Sequence, residues 1–490
     1  MVGVLSWMLI SLVFGMVLVY IVGRFDREKA KHITLMITSI VFLLSIYAFL
    51  RFDFKTSEIQ FLESYRWVES VGISYIVGVD GISFPLVLLT TLLSLLAVGT
   101  SWFEIKERPV AYYSLYLMLE LGILGVFVAL DFFLFYIFWE IVLVPMFFII
   151  GIWGGPRKEY SAIKFFIYTH VASLVMLIGI IAMYFKGEQT FSMLELTEIG
   201  FPIAFQKWVF PLLFFGFIVK MPVVPFHTWL PDAHVEAPTP GSVILAGLLL
   251  KMGGYGLIRI CAQMMPEAFK YYAFPIAILA LISIIYGAFA SMAAQDLKRL
   301  IAYSSVSHMG YVLLGVAALN VLGLSGAIYQ MVSHGLISGM LFMMAGLVHH
   351  QAGTRILGEL GGIAKRAPML VTTLVFASLA SLGLPSLSGF VAEFLVFIGS
   401  FRGFFSYNLQ ITAIAIVVVI ITAAYYLWML QRVVFGPLNP ERESMKDVHK
   451  IELYPAFGCI LFIVILGLYP RLLMSMMNIS LEHLVQLIGG

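Results

Sequence analysis

Long uninterrupted runs of apolar residues dominate the chain, and short polar segments separate them. An apolar run of about 20 residues is long enough to cross a bilayer as an α-helix. The pattern therefore predicts an all-α polytopic membrane protein, with a single transmembrane domain over residues 1–490. We predict fourteen membrane helices, at residues 4–23, 33–50, 76–102, 111–130, 132–151, 160–185, 208–234, 237–262, 272–294, 300–318, 322–349, 367–401, 408–431 and 452–475.

Two other interpretations of this pattern are excluded. The strands of a transmembrane β-barrel are alternating segments of about 10 residues, whereas these runs are continuous and longer. The first run is apolar enough for a signal peptide, but it opens without a basic segment and a basic cluster follows it. We therefore interpret residues 4–23 as the first membrane helix.

The basic residues support an even number of helices. With both termini on one side, eighteen of the 29 Lys and Arg residues fall in loops on the opposite side, and nine fall on the side of the termini. The remaining two, Lys220 and Lys251, lie inside apolar runs. Because the side richer in Lys and Arg is normally cytoplasmic, we expect both termini on the outer side of the cell's inner (cytoplasmic) membrane.

Composition excludes several classes of protein. Hydrophobic residues make up 61% of the chain and charged residues 11%, with a mean hydropathy of +1.00, whereas soluble domains carry roughly 25% charged residues. A soluble enzyme, a disulfide scaffold and a disordered chain are therefore excluded. Cys261 and Cys459 are far apart, and no phosphate-binding or dinucleotide-binding Gly motif is present. We expect no cofactor, no metal and no nucleic-acid partner on this chain, so its energy must come from an ion gradient or a partner protein.

Prolines interrupt two of the predicted helices. One break contains Pro222 and Pro225, and the other contains Pro385 between two glycines. A proline removes a backbone hydrogen bond, and in lipid the freed carbonyls need protein or water as partners. Paired breaks at matching places in two halves of a chain point to a transport site.

The spacing of these features indicates an internal repeat. Pro222 and Pro385 are 163 residues apart, and Lys220 and Glu393 are 173 apart. We interpret this as two copies of a five-helix unit, helices 4–8 and 9–13. The chain then divides into N-terminal helices 1–3 at residues 1–110, a first repeat at 111–262, a second repeat at 272–435, and helix 14 at 450–490.

Four residues that ionise lie inside apolar runs, namely Glu140, Lys220, Lys251 and Glu393. A charge at the centre of a membrane helix is costly, so such residues face the interior, pair with one another or mark an ion path. One alternative is a set of buried ion pairs that only locks helices together. Four such residues, two of them beside helix breaks, favour proton movement, because burial favours the neutral form of either side chain and so permits proton exchange. We predict that Glu140 pairs with Lys220 as a modulator, that Lys251 is the central relay, and that Glu393 lies at the exit.

Two histidines extend this candidate relay. His308 and His334 each follow a hydroxyl residue within a predicted helix, and histidine transfers protons near neutral pH. Packing of helices and ligation of a haem are the alternatives. His170 is expected to be a packing residue. Glu104 and Glu120, at the third and fourth helices, are candidate modulators of the relay.

These residues lie in segments that resemble a known family. Residues 219–251, VKMPVVPFHTWLPDAHVEAPTPGSVILAGLLLK, resemble the signature of the antiporter-like subunits of respiratory complex I. Residues 138–140, 300–310 and 389–394 match the same family, and the resemblance covers almost the whole chain. It implies fourteen helices with two inverted five-helix repeats, in which the seventh and twelfth helices are broken.

The resemblance also implies roles for single residues. The family's key glutamate falls on Glu140, and its two lysines fall on Lys220 and Lys251. Its histidines fall on His308 and His334, and its last carboxylate falls on Glu393.

Glu393 narrows the resemblance to the subunit M (subunit 4) branch, because subunit L and its antiporter relatives are expected to carry Lys there. No long C-terminal lateral helix is expected either. Glu120 departs from the pattern expected of the family.

The implied function is proton translocation as part of NADH–quinone oxidoreductase, with the redox site on other subunits. Flavin, iron–sulfur clusters and quinone are then expected in partner subunits. The expected partners are the other membrane subunits, related antiporter-like subunits among them, and the lipid bilayer. Two alternatives remain, a subunit of a multisubunit sodium/proton antiporter and the membrane arm of a proton-pumping hydrogenase.

Overall fold

The computed structural model of the protein describes residues 3–489. Within this range the chain forms twenty α-helices and one antiparallel sheet of two strands, β1 (Gln60–Val68) and β2 (Ile73–Val79). The helices in chain order are α1 (Val4–Gly23), α2 (Lys29–Arg51), α3 (Phe84–Glu104), α4 (Pro109–Val128), α5 (Phe132–Ile141), α6 (Leu143–Trp153), α7 (Lys158–Lys186), α8 (Met193–Ile199), α9 (Ile203–Lys220), α10 (Trp229–Glu236), α11 (Thr239–Ile244), α12 (Leu250–Gly256), α13 (Pro266–Ala293), α14 (Leu297–Ala317), α15 (Val321–Ala352), α16 (Pro368–Ser381), α17 (Ser388–Phe401), α18 (Asn408–Val433), α19 (Tyr454–Leu468) and α20 (Arg471–Ile488).

The predicted all-α membrane fold is confirmed. Thirteen helical segments within residues 3–489 are long and apolar enough to cross a membrane. One of them joins α5 to α6, and another, Thr239–Ala262, contains α11, a π-helical turn, α12 and a second π-helical turn. The shorter apolar helices α16 and α17 follow one another across a break. Counted as one interrupted helix, they bring the total to the predicted fourteen; the division into two repeats stays a prediction.

Burial separates interior helices from peripheral ones. The segment Thr239–Ala262 is wholly buried, and α14 and α15 are almost wholly buried. Helices α1, α2, α7, α13 and α18 instead bury one side and expose large apolar side chains on the other, as expected for helices that contact lipid. Lys251, His308 and His334 therefore lie on the three most enclosed helices of the protein.

The first predicted break follows Lys220, where α9 ends, and the chain becomes helical again at Trp229. Pro222 has no amide hydrogen to continue the helix. The side chain of Trp229 donates from Nε1 to the carbonyl oxygen of Val219 at 3.0 Å. This bond provides one of the polar partners that a broken helix needs in the membrane.

The second predicted break separates α16 from α17. Gly383 has a φ of +82° there, a left-handed conformation that glycine adopts without steric cost. A Cβ atom at this position would lie 3.0 Å from Oε2 of Glu393. The absence of a side chain at Gly383 thus lets the carboxyl group of Glu393 approach the break.

The predicted third helix, residues 76–102, was placed too early. Residues 73–79 form β2, which pairs with β1 in an antiparallel hairpin, and α3 begins at Phe84. Asp80 ends the strand and accepts hydrogen bonds through Oδ1 from the amides of Ile82 (3.0 Å) and Ser83 (3.1 Å). A carboxylate that binds these amides favours the start of a helix.

The predicted last helix, residues 452–475, is two helices. The first, α19, ends at Leu468, and α20 begins at Arg471. Pro470 restricts the preceding residue to extended conformations, and Tyr469 accordingly has φ −128° and ψ 67°. The chain therefore turns after Leu468 and forms a separate C-terminal helix.

Candidate functional site

The centre of the protein contains a direct contact between two of the predicted relay residues. Lys251 is completely buried on α12, and its Nζ lies 2.8 Å from Nδ1 of His334 on α15. The same Nζ donates to the carbonyl oxygen of Ala246 at 2.5 Å, within the π-helical turn that precedes α12. When the ammonium group donates to Nδ1, the hydrogen of the neutral imidazole lies on Nε2.

His334 and His308 face each other beside a small cavity. Their ring centroids are 5.5 Å apart, and Nε2 of His334 has no hydrogen-bond partner among the described residues. The cavity has a volume of about 10 Å³ and is also lined by Gln330, Ser381 and Glu393. This volume is close to the minimum for a single water molecule, which would connect the two rings.

Glu393 ends this row of groups. Its Oε1 lies 3.5 Å from Nδ1 of His308, and both side chains are buried. Ser381, at the end of α16, has its Oγ 3.3 Å from Nε2 of His308 and donates to the hydroxyl of Tyr426 at 2.8 Å. The structure thus places Lys251, His334, His308 and Glu393 in sequence along one buried polar path.

Lys220 lies apart from this path, at the end of α9. It is 2% exposed, and its Nζ forms no hydrogen bond to any residue between positions 3 and 489. The ammonium nitrogen lies 5.4 Å from the ring centroid of Trp139 and 5.9 Å from that of Phe165. Aromatic faces stabilise a desolvated cation by about 2 kcal/mol, which is less than an ion pair with hydrogen bonds provides.

Glu140 and Lys220 form no hydrogen bond with each other in the structure, so their predicted pairing as modulator and cation stays a prediction. Glu140 instead accepts a short hydrogen bond from the hydroxyl of Ser173 and contacts Nδ1 of His170 at 3.1 Å. Trp139 contacts Lys220, so the next side chain along the helix, that of Glu140, points toward α7. The sequence analysis left His170 as a packing residue, although its spacing of three from Ser173 places both on one face of α7.

The two candidate modulators occupy different environments. Glu104 ends α3, and its Oε1 accepts the amide hydrogen of Thr239 at 2.9 Å. It lines an open cavity of about 140 Å³ together with Thr100 and His349. Glu120 is buried in α4, and neither of its carboxylate oxygens has a hydrogen-bond partner in the described part of the chain.

Two further buried groups were not predicted. Lys298, one of the eighteen basic residues expected in loops on the cytoplasmic side, is buried and donates to the carbonyl oxygen of Ala237 at 2.7 Å. His234 is buried and stacks on Phe342, with 4.4 Å between the ring centroids. Lys298 lies at the first turn of α14 between Asp296 and Arg299, a polar setting in which no sequence signal marks it as buried.

Two protein families match segments that together cover most of the chain. Residues 129–422 match the family described as "NADH:quinone oxidoreductase/Mrp antiporter, TM", and residues 8–130 match "NADH-ubiquinone oxidoreductase chain 4, amino terminus". This chain belongs to that family. It is a multi-pass membrane protein, as the apolar helices also indicate.

Similar chains within the family carry several names. The chain is 44% identical over 458 residues to F(420)H(2) dehydrogenase subunit M of Methanosarcina mazei, covering 91% of each chain. It is 42% identical over 478 residues to NADH-quinone oxidoreductase subunit M of Rhodobacter capsulatus, covering 95% of this chain and 92% of the relative.

Solved structures share the fold. A chain of respiratory complex I from Thermus thermophilus matches with a TM-score of 0.89 and 28% identity, over 99% of this chain and all of that one. A chain of the Mrp complex of Dietzia sp. has a TM-score of 0.87 with 19% identity, over 99% of both chains, which is a likeness of fold alone. Within residues 3–489 no group of three or more His, Cys, Asp or Glu side chains is arranged to hold a metal ion.

Proposed function

We propose that this chain is a proton-translocating membrane subunit of a NADH–quinone oxidoreductase complex, in the position of subunit M. The observation that carries the proposal is the buried path from Lys251 through His334 and His308 to Glu393. Groups that exchange protons must lie within hydrogen-bond distance or be joined by one water. Membership of the family, and the names of the relatives, support the same role.

The imidazole of His334 passes a proton from one ring nitrogen to the other. Nδ1 of His334 takes a proton from Lys251, and Nε2 releases its hydrogen to water in the cavity. His308 takes that proton, and its Nδ1 delivers it to Oε1 of Glu393. Ser381 and Gln330 orient the His308 ring through its two nitrogens.

Lys220 and Glu140 form the entry side of this relay. A buried ammonium without a hydrogen-bonded anion is costly, so Lys220 holds its proton best when the carboxylate of Glu140 moves toward it. In the structure Glu140 is held by His170 and Ser173 instead. We assign this arrangement to the state in which Lys220 is ready to pass its proton on to Lys251.

The energy for translocation would come from redox chemistry in partner subunits. The relatives are named as subunits of an F(420)H(2) dehydrogenase, an NADH-quinone oxidoreductase and an NAD(P)H-quinone oxidoreductase, so the electron donor differs among complexes that contain similar chains. Flavin, iron–sulfur clusters and the quinone site would reside on those partners, which include other antiporter-like membrane subunits. The two-to-one excess of basic residues on one side supports an orientation with both termini outside the inner membrane.

The first experiment purifies the tagged chain from native membranes in mild detergent and identifies its companions. Flavin and iron–sulfur absorbance together with NADH–quinone activity would support the proposal. Activity with F420H2 but not NADH would replace the proposed donor. Small hydrophobic partners without redox cofactors, and sodium-dependent proton exchange in vesicles, would make the chain an antiporter subunit and contradict the proposal.

The second experiment tests the entry residue in the reconstituted complex. Lys220→Ala should abolish most proton pumping while the complex still assembles, because it removes the buried cation at the end of α9. Lys207→Ala is the matched control, since Lys207 lies on the same helix beside the ring of Tyr271, at 3.8 Å. Normal pumping by Lys220→Ala would contradict the relay assignment.

A further inference from the structure

Glu120 is an ionisable group that the relay described above does not use. It lies in the middle of α4, is 1% exposed, and has no hydrogen-bond partner for either oxygen within residues 3–489. No basic side chain of the described residues forms an ion pair with it. An isolated carboxylate in such surroundings costs far more than a neutral carboxyl group, so Glu120 carries a proton.

The face of α4 that presents Glu120 is lined by hydroxyl groups. Tyr112, Tyr116 and Glu120 follow one another at four-residue spacing and therefore share one face of the helix. The hydroxyl of Tyr116 donates to the carbonyl oxygen of Ser94 on α3 at 2.7 Å. Among the described residues, the hydroxyl groups of Tyr112 and Ser94 have no hydrogen-bond partner although they are buried. The interface of α3 and α4 thus retains unused capacity to hydrogen-bond water.

This interface ends at the open cavity beside Glu104. Thr100, one turn before Glu104 on α3, lines that cavity, and its hydroxyl is buried without a protein partner in the part of the chain described. Tyr112 lies in the first turn of α4, next to the end of α3 that carries Glu104, and its ring stacks on that of Tyr116 with 6.1 Å between the centroids. The polar groups of the interface therefore extend from the cavity to Glu120.

Glu120 lies at the depth of the central relay lysine. The hydrogen bond from Thr239 to Glu104 joins the end of α3, next to the start of α4, to the start of α11. Glu120 is eleven residues beyond the start of α4, and Lys251 is twelve residues beyond Thr239. Helix α4 packs against α12, where the rings of Phe127 and Tyr255 are 5.4 Å apart.

We propose that Glu120 is a proton-loading site, which holds one proton at rest and exchanges it with the cavity at Glu104 along the interface of α3 and α4. The proposal rests on the proposed proton translocation and adds a branch to it. In the exchange, the O–H bond of the carboxyl group breaks as a new O–H bond forms on a water molecule that enters the interface. The reverse step restores the proton, and no other bond changes.

Infrared difference spectroscopy of the purified complex tests this proposal. The C=O band of a protonated carboxyl group should be present in the wild type and lost in Glu120→Gln. Transfer to D2O should shift this band, because the proton exchanges with the cavity. Glu120→Asp keeps a carboxyl group, so it should retain a displaced band if the glutamine variant assembles poorly.

The route is tested by removing one hydroxyl at a time. Tyr112→Phe should slow the D2O shift of the band, whereas Tyr425→Phe, which removes from α18 an equally buried hydroxyl without a partner among the described residues, should leave the rate unchanged. Absence of a Glu120 carboxyl band would overturn the proposal, because the group would then be ionised. A band that does not shift in D2O would also overturn it. Both results are independent of pumping by Lys220→Ala, so this proposal and the proposed function can fail separately.

Discussion

The relay has a first half, Glu140 and Lys220, and a second half, Lys251, His334, His308 and Glu393. The surroundings of the ionisable groups differ between these halves. In the second half, Lys251 is bonded to His334, and Glu393 lies 3.5 Å from His308 within enclosed helices. In the first half, Lys220 is buried without a hydrogen bond. The carboxylate of Glu140 has a side-chain exposure of 25%, against 6% for Glu393.

This difference indicates that the two halves have different roles in proton translocation. The ionisable groups of the second half lie close to one another, which permits rapid transfer of protons, so this half is suited to conduction. The charge of Lys220 depends on whether the carboxylate of Glu140 is near, so the first half is suited to control. The expected effects on translocation and stability decrease from the first of the following predictions to the last.

The histidines of the two halves should respond unequally to the same substitution. His308→Gln interrupts the only ring between His334 and Glu393, and it should lower translocation through this subunit on the order of 100-fold. His170→Gln should retain most translocation, because Ser173 still binds Glu140. Proton uptake by vesicles that contain the reconstituted complex measures both, and equal losses would remove the distinction between the halves.

Adding a methyl group at Gly383, in the break of the second half, should lower pumping more than adding one at a glycine of similar conformation elsewhere. Gly383→Ala costs roughly 1–2 kcal/mol for its left-handed backbone and displaces the carboxyl group of Glu393, so pumping should fall severalfold. Gly353→Ala is the matched control, with a φ of +71° and no atom within 4 Å of the added Cβ. Its pumping should be normal, and a comparable loss would assign the effect to backbone strain alone.

The smallest effect is expected at the start of the helix that carries Glu140. The carboxylate of Asp131 accepts hydrogen bonds from the amides of Phe133 (2.9 Å), Leu134 (3.1 Å) and Ser74 (3.0 Å). Asp131→Ala should lower the free energy of unfolding by about 1 kcal/mol, while Asp131→Asn should retain most of it. Thermal unfolding of the purified complex measures the change. A lower number of protons moved per electron at unchanged stability would contradict this prediction and give Asp131 a role in controlling proton transfer.

The sequence predicted the membrane helices and both breaks because long apolar runs and interior prolines have few structural solutions in a bilayer. It did not predict the hairpin, since β2 adjoins the apolar run of α3 and was absorbed into it. Pro470 was likewise visible, but the run on either side of it was interpreted as one helix.

The site was predicted as a set of residues and not as a set of contacts. Buried charges in apolar runs are conspicuous, so Lys251 and Glu393 were identified. Whether Glu140 turns toward Lys220 or toward His170 depends on which side of α5 each neighbour packs against, and periodicity alone does not give that. Lys298 was misplaced because a lysine at the first turn of a helix looks the same in sequence whether it is exposed or buried.

The central claim is that protons cross this subunit through Lys251. The most direct measurement is the number of protons moved per electron by reconstituted complex carrying Lys251→Met, beside Lys270→Met, which alters a lysine paired with Glu267 at the N-terminal end of α13. The account predicts that the ratio falls in Lys251→Met and stays at the wild-type value in Lys270→Met. A wild-type ratio in Lys251→Met would contradict it, because protons would then bypass the bond between Lys251 and His334.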